Sequence, residues 1–200
     1  MDLPTLALPI KPIINHACFS PAGINVFQDL IYCELGTSAL NKEAAQLIKK
    51  LGLHKHPEGG YFRQTYRSDT MANIEGFEGP RNISTAIYYM LADEQISAFH
   101  RLGSDEVWHH YAGGSITLYA LDKDGKLSKI KIGRGRGEMQ QAVMKAGTWF
   151  AAALNGKKSY CLLGCTTSPG FDHRDWELAK RDDLVRTYPY HKKIIERYTK

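Results

Sequence analysis

Hydrophobic and polar positions follow two different periods along this chain. Leu40, Ala44, Leu47, Ile48 and Leu51 recur at helical spacing, with Lys49 and Lys50 in the last turn and Gly52 as the stop, which predicts a helix over 41–51. From there the period shortens. Segments rich in Tyr, Ile, Val and Thr alternate with turn signals at 60–66, 84–91, 96–102, 106–111, 115–121, 127–132, 140–145 and 159–165. Asp124-Gly125 and Gly113-Gly114 read as hairpin turns between such segments. Strands at this spacing predict an all-β sandwich or barrel. After Asp172 the pattern turns helical again, with Trp176, Ala179, Leu184 and Val185 on one apolar face, a break at Pro189, and a basic segment ending in Ile194, Ile195 and Tyr198. The expected organisation is an N-terminal extension over 1–40, a β-domain over 41–176 and a C-terminal helical segment over 177–200. Within the extension, the apolar patch from Val26 to Leu35 fits a short helix or a strand equally.

Composition narrows the function classes. A chain of 200 residues accommodates one domain with extensions. The net charge of +5 is modest and its basic residues are scattered, so no nucleic-acid partner is expected. No run approaches the roughly 18 apolar residues of a membrane span, so no membrane partner is expected. The N-terminus has an acid at position 2 and prolines at 4, 9 and 12, and is not expected to act as a signal peptide. Cys18, Cys33, Cys161 and Cys165 form no CxxC pair. Cys161 and Cys165 would share a strand face about 13 Å apart, too far to bridge, and free thiols point to a reducing cytoplasm.

The stretch 99–114, FHRLGSDEVWHHYAGG, carries the most chemistry. Its spacing resembles the first motif of the cupin superfamily, with His100, Glu106 and Gly113 in place and Leu102 at the position of the second His. Residues 145–155 resemble the second motif loosely, with Phe150 where the last metal His would stand. The runs LGLHKHPEGGYFRQTY (51–66), RNISTAIYYML (81–91) and SPGFD (168–172) are similar to the type-5 cupins, small barrels of no agreed activity related to the sugar-nucleotide epimerase of rhamnose biosynthesis. The resemblance implies a double-stranded β-helix or jelly-roll barrel, a homodimer and a pocket inside the barrel. Two apolar residues among four ligand positions leave no expected cofactor. A divalent transition metal would have His100 and Glu106 as its remaining ligands.

In that register His100, Glu106, Trp108 and His110 face the interior, while Val107, His109 and Tyr111 point outward. His beside a carboxylate in an enclosed pocket suits acid–base work. By resemblance to the epimerase, His100 takes the base role, oriented by Glu106, and the acid tyrosine is sought among Tyr61, Tyr88 and Tyr119. Alternation puts Tyr61, Arg63, Thr65 and Arg67 on one face, where the arginines could clamp a phosphate or carboxylate. Ser84 joins Tyr61, Arg63 and Arg67 as a candidate ligand contact, and Trp108, Trp149 and Phe150 supply an apolar wall. His54 and His56 read as loop packing, and Gly133–Gly137 as a hairpin loop. The expected function is binding of a small polar metabolite, sugar-like or sugar-phosphate-like, with metal-independent isomerase or epimerase chemistry as the enzymatic form. A non-catalytic binding or sensing module is the alternative, and a metal-dependent oxygenase the third reading.

Overall fold

The computed structural model describes residues 41–156 and 159–200. The Val26–Leu35 patch, Cys18 and Cys33 lie outside them. Helix α1 spans Lys42–Leu51. Its start is set by Asn41, whose side chain accepts from the Glu43 and Ala44 backbone N–H groups at 3.0 and 3.2 Å. Its end is set by Gly52 in the left-handed region at φ 62°. The predicted helix is therefore present, and it lays Ala44 and Leu47 against Tyr61, Met90 and Tyr160.

Thirteen strands follow among the described residues: β1 (His54–Lys55), β2 (Tyr61–Arg67), β3 (Met71–Ala72), β4 (Arg81–Asn82), β5 (Thr85–Ala92), β6 (Ile96–Leu102), β7 (Asp105–Gly113), β8 (Ile116–Leu121), β9 (Leu127–Ile132), β10 (Gln141–Met144), β11 (Trp149–Leu154), β12 (Tyr160–Ser168) and β13 (Trp176–Leu178). A six-stranded sheet runs β1-β2-β5-β12-β7-β10 and a five-stranded sheet runs β13-β6-β11-β8-β9, while β3 and β4 pair separately. Neighbours within both large sheets are antiparallel. The main core lies between the two sheets, where Tyr89, Trp108 and Leu163 of one face Leu118 and Phe150 of the other. This is the expected all-β jelly-roll barrel with helices toward its ends.

Three local features depart from the sequence reading. Strand β11, Trp-Phe-Ala-Ala-Ala-Leu, carries neither alternation nor β-branched residues, yet its Phe150–Ala153 stretch is buried on both sides. Phe150 and Ala152 join the inter-sheet core, while Ala151 and Ala153 lie under the C-terminal helices. Small side chains there let another layer approach a fully buried strand. Second, β2 contains a bulge between Gln64 and Tyr66, so the inward face changes parity along the strand. Third, the segment after Asp172 opens with a single 3₁₀ turn, and Trp176–Leu178 then pairs with β6 instead of starting a helix.

Helices α2 (Arg181–Thr187) and α3 (Lys192–Tyr198) close the chain. Their Leu184, Ile195 and Tyr198 pack with Phe99 and Leu121 on the outer face of the five-stranded sheet. No described helix is long and apolar enough to cross a membrane. Because Ala152 is fully buried, Ala152→Leu should overpack the layer and lower stability by about 1–3 kcal/mol in urea unfolding. An unchanged midpoint would show unfilled space behind β11.

Candidate functional site

The loop between β1 and β2 delivers the carboxyl that organises the site. His56 N–H donates to the Gly60 carbonyl and Gly59 N–H to the His56 carbonyl, both at 3.0 Å, which folds His56–Gly60 into a tight turn. Gly59 sits at φ 120°, and a Cβ added there would run into the Ile96 carbonyl oxygen. The turn is stitched to β6 by Ala98 N–H donating to the Glu58 carbonyl at 3.0 Å. Tyr89 O–H donates to the Gly59 carbonyl at 2.8 Å. Glu58, only 6% exposed, is thereby aimed inward beside β6.

Beside it is His100, buried to 2% exposure. Its Nδ1 lies 2.8 Å from the Ala98 carbonyl oxygen and 3.0 Å from Glu58 Oε2. A carbonyl can only accept, so Nδ1 carries the proton and the neutral ring has its lone pair on Nε2. Nε2 makes no hydrogen bond among the described residues and is not enclosed in the protein, so it opens on the cavity that His100 lines. Across from β6, Glu106 Oε2 accepts from Trp108 Nε1 at 2.7 Å. Glu106 Oε1 likewise makes no hydrogen bond among the described residues and faces the cavity.

Burial governs the charges of these groups. Desolvation pushes His100 down to about 4, against the smaller opposing effect of the Ala98 carbonyl, so the ring is neutral at physiological pH. Desolvation, reinforced by the charge of Glu58, pushes Glu106 up to about 8. Glu58 is also raised by burial, with His56, Trp176 and Ser97 partly offsetting it. Trp176 Nε1 donates to Glu58 Oε2 at 3.4 Å.

The cavity measures about 290 Å³, near the lower end of the roughly 300–1,000 Å³ usual for small-molecule sites. Its walls are Phe62, Ile87, Tyr89, Leu102 and Trp108, and its rim is formed by Arg67 and by the segment after β12 that carries Phe171, Asp172 and His173. Arg81, 2% exposed, holds that segment through Asp175 with bonds of 2.6 and 2.8 Å, and also donates to the Glu78 carbonyl at 2.7 Å. Arg174 grips Asp172 in a similar two-pronged way at 2.9 and 2.8 Å.

The structure brings together His100, Glu106, Trp108 and Arg67 from the expected set and places the other candidates elsewhere. The β2 bulge turns Phe62, Gln64 and Arg67 toward the cavity and leaves Tyr61 and Arg63 outside: Tyr61 packs near α1, and Arg63 lies over the Tyr88 ring at 5.9 Å. Arg67 itself is committed to Gln64, Asn82 and the Phe171 carbonyl. Tyr88 points to the opposite sheet face from Tyr89, 6.0 Å from Tyr111. Tyr119 stacks on Tyr198 at 4.6 Å beneath α3.

His110 is buried on the predicted face, but its Nε2 bonds the Gly114 carbonyl at 3.0 Å and it does not line the cavity. Ser84 donates to the Thr167 carbonyl at 3.1 Å, and Trp149 lies under Arg101 at 4.6 Å on the outer side. Phe150 stands behind the site, 4.2 Å from the His100 ring. Finally, Glu58, not Glu106, is the carboxyl on His100 Nδ1. Sequence reasoning missed Glu58, His56, Tyr89 and Trp176. The Glu-Gly-Gly run was the available signal for Glu58, since paired glycines mark a turn that can press close to another strand.

The donor set does not fit a cupin metal centre. Leu102 and Phe150 are hydrocarbon side chains at two ligand positions. Among the described residues no group of three or more His, Cys, Asp and Glu side chains could hold a metal ion.

A two-sheet barrel with its cavity opening between the sheets, and the motif histidine and glutamate facing into it, defines a cupin. The profile of the family described as Cupin superfamily (DUF985) matches residues 45–179, and this chain belongs to that family. It is 33% identical over 156 residues to the uncharacterised protein YML079W of Saccharomyces cerevisiae, covering 70% of this chain and 77% of that one. Among solved structures it is similar to protein SO0799 of Shewanella oneidensis, with TM-score 0.72, 36% identity, and 78% and 97% of the two chains covered. A hypothetical protein from Leishmania major gives TM-score 0.73 at 32% identity, covering 78% of this chain and 98% of that one.

The raised Glu106 gives a signed expectation. The native state holds a proton that the unfolded chain has lost between the ordinary glutamate range and about pH 8, so this carboxyl's contribution to stability falls as pH rises through that window. Glu106→Gln keeps the shape without the titration. Its melting temperature relative to wild type should therefore climb by several degrees between about pH 5 and pH 8.5. A constant difference across that range would mean that Glu106 ionises freely.

Proposed function

We propose that the chain binds a small polar metabolite of sugar-like size in the barrel cavity and shifts a proton on it without a metal, as an isomerase or epimerase would. The observation that carries this reading is the fixed tautomer of His100, with Nδ1–H held by the Ala98 carbonyl and Glu58 and a bare Nε2 on the cavity. Nε2 would remove a proton from a carbon beside a carbonyl, and the C–H electron pair would pass into the enolate. A proton would then return to the enolate carbon, either from the imidazolium after exchange with solvent or from water on the opposite face, whose hydroxide would take the imidazolium proton. One proton is taken and one returned, so the step balances. Glu58, 3.0 Å behind the ring, would stabilise the imidazolium while it exists. The structural relation to the rhamnose-pathway epimerase barrel that the type-5 cupin resemblance implies is in keeping with this reading.

A second reading, binding without turnover, is favoured by the burial that pushes His100 down to about 4, because it weakens the ring as a base. Proton exchange separates the two. Metabolites released from freshly purified protein, and a panel of hydroxylated aldehydes and ketones, would be incubated in deuterated water and followed by proton NMR. The wild type should exchange a C–H beside the carbonyl, and His100→Asn should lose at least about a hundredfold of that rate while ligand affinity stays within about tenfold. Binding with no exchange in the wild type would leave the binding module as the function.

We also propose that two chains pair as a homodimer. The outer face of the six-stranded sheet carries the exposed Tyr66, Tyr111 and Val143, and no described helix packs over that stretch. Sedimentation should give the mass of two chains at micromolar concentration, and a one-chain mass would overturn this. Cys161 and Cys165, both buried free thiols, suit a reducing compartment such as the cytoplasm.

A further inference from the structure

The charges and walls of the cavity narrow its ligand further. Two carboxyls, Glu58 and Glu106, stand in its depth, both more than nine-tenths buried. Among the described residues neither has a lysine or arginine bonded to it. Arg67, the one guanidinium among the described residues that line the cavity, is held at the rim by Gln64, Asn82 and the Phe171 carbonyl. Lys200 ends on the Pro57 carbonyl beyond the wall. Two histidines stand beside Glu58 on the lining: burial keeps His100 neutral, and His56, whose Nδ1 accepts the Glu58 backbone N–H at 3.3 Å and lies 3.4 Å from Glu58 Oε1, is lowered by burial as well. An oxyanion entering here would meet two carboxyls, with no free cation among the described residues to receive it.

The aromatic residues have the complementary character. Tyr89 and Trp108 meet edge to face at 5.5 Å, and Phe62 and Trp176 also line the space. Aromatic faces attract cations, and the attraction grows where water is excluded. Glu106 Oε1 opens on the same space without a hydrogen bond among the described residues, ready to accept from an N⁺–H donor.

From this arrangement we infer that the deep end of the ligand is an ammonium group, so that the cavity takes a small hydroxylated amine, with Glu106 as the counter-ion and Trp108 and Tyr89 as the wall beside it. The inference rests on the proposed role of the cavity as the binding site and specifies its ligand class. The hydroxyls toward the rim would meet Gln64 and His173.

Three probes of one shape test it: glucamine, sorbitol and gluconate, which end the same hydroxylated chain in an ammonium, a hydroxyl and a carboxylate. Affinities would be read by calorimetry, and by fluorescence of Trp108 and Trp176, at about pH 8. Glucamine should bind at least about tenfold more tightly than sorbitol, with gluconate weakest. Glu106→Gln should bring glucamine and sorbitol to within about threefold of each other. Sorbitol binding at least as tight as glucamine, a preference for gluconate, or an undiminished ammonium preference in Glu106→Gln would overturn the inference.

Gln64→Trp, which narrows the rim at an exposed position, separates this failure from failure of the pocket reading. Equal binding of the probes that Gln64→Trp abolishes would sink the ammonium inference alone. Binding that survives Gln64→Trp unchanged, or no binding of any probe, would overturn it together with the cavity site.

Discussion

The arrangement depends on one contact between two buried ionisable groups, Glu58 Oε2 against His100 Nδ1 at 3.0 Å. In water such a pair would exchange protons and partners freely. Here both residues are almost wholly buried, and the Ala98 carbonyl shares the same Nδ1, so the ring has one orientation and one tautomer. That constraint reaches outward. It requires a turn tight enough to press the Glu58 backbone onto β6, hence Gly59, and it relies on Tyr89 to hold the turn through the Gly59 carbonyl. It also requires a hydrocarbon backing for the ring, supplied by Phe150. Phe150, at the position where metal-binding cupins carry a ligand, thus acts as packing for a neutral imidazole.

The rest of the molecule serves to keep that pair dry while leaving one side open. The small residues of β11 let the α2–α3 layer close over the five-stranded sheet. Arg81 does the same for the cavity rim: an almost fully buried guanidinium, satisfied by Asp175 and by backbone carbonyls, ties the segment after β12 to the loop before β4. A buried arginine with this many partners fixes geometry more than it adds net stability, because desolvation offsets much of the Coulombic gain. What it fixes is the placement of Phe171, His173 and Trp176 around the opening.

Much of the fold was legible because its signals are local. Asn41 and Gly52 bracket α1 by capping chemistry that any helix needs, and the cupin-like spacing of His100 and Glu106 set the register from which Trp108 and His110 of β7 follow onto the buried face. What was illegible depended on contacts distant in the chain. β11 has no strand pattern because both its faces are covered, one by residues more than thirty positions later. The bulge in β2 shifts parity by a single residue, which exchanged Arg63 for Gln64 at the cavity and could not be read from alternation. Glu58 was hidden by its loop: a glutamate before two glycines resembles a solvated turn until β6 is seen to receive it. Tyr88 and Tyr89 differ by one position and by a whole sheet face, so aromatic content alone could not choose between them.

His100 as a neutral imidazole, with its proton on Nδ1 and a bare Nε2 facing the cavity, has a signature that nitrogen NMR of ¹⁵N-histidine-labelled protein reads without a ligand. At about pH 6 one histidine, assigned by its loss in His100→Asn, should show an Nε2 resonance in the unprotonated range and a protonated Nδ1. It should remain so until the pH approaches about 4. An imidazolium His100 at about pH 6, or one with its proton on Nε2, would mean that Glu58 and the Ala98 carbonyl do not set the ring's state.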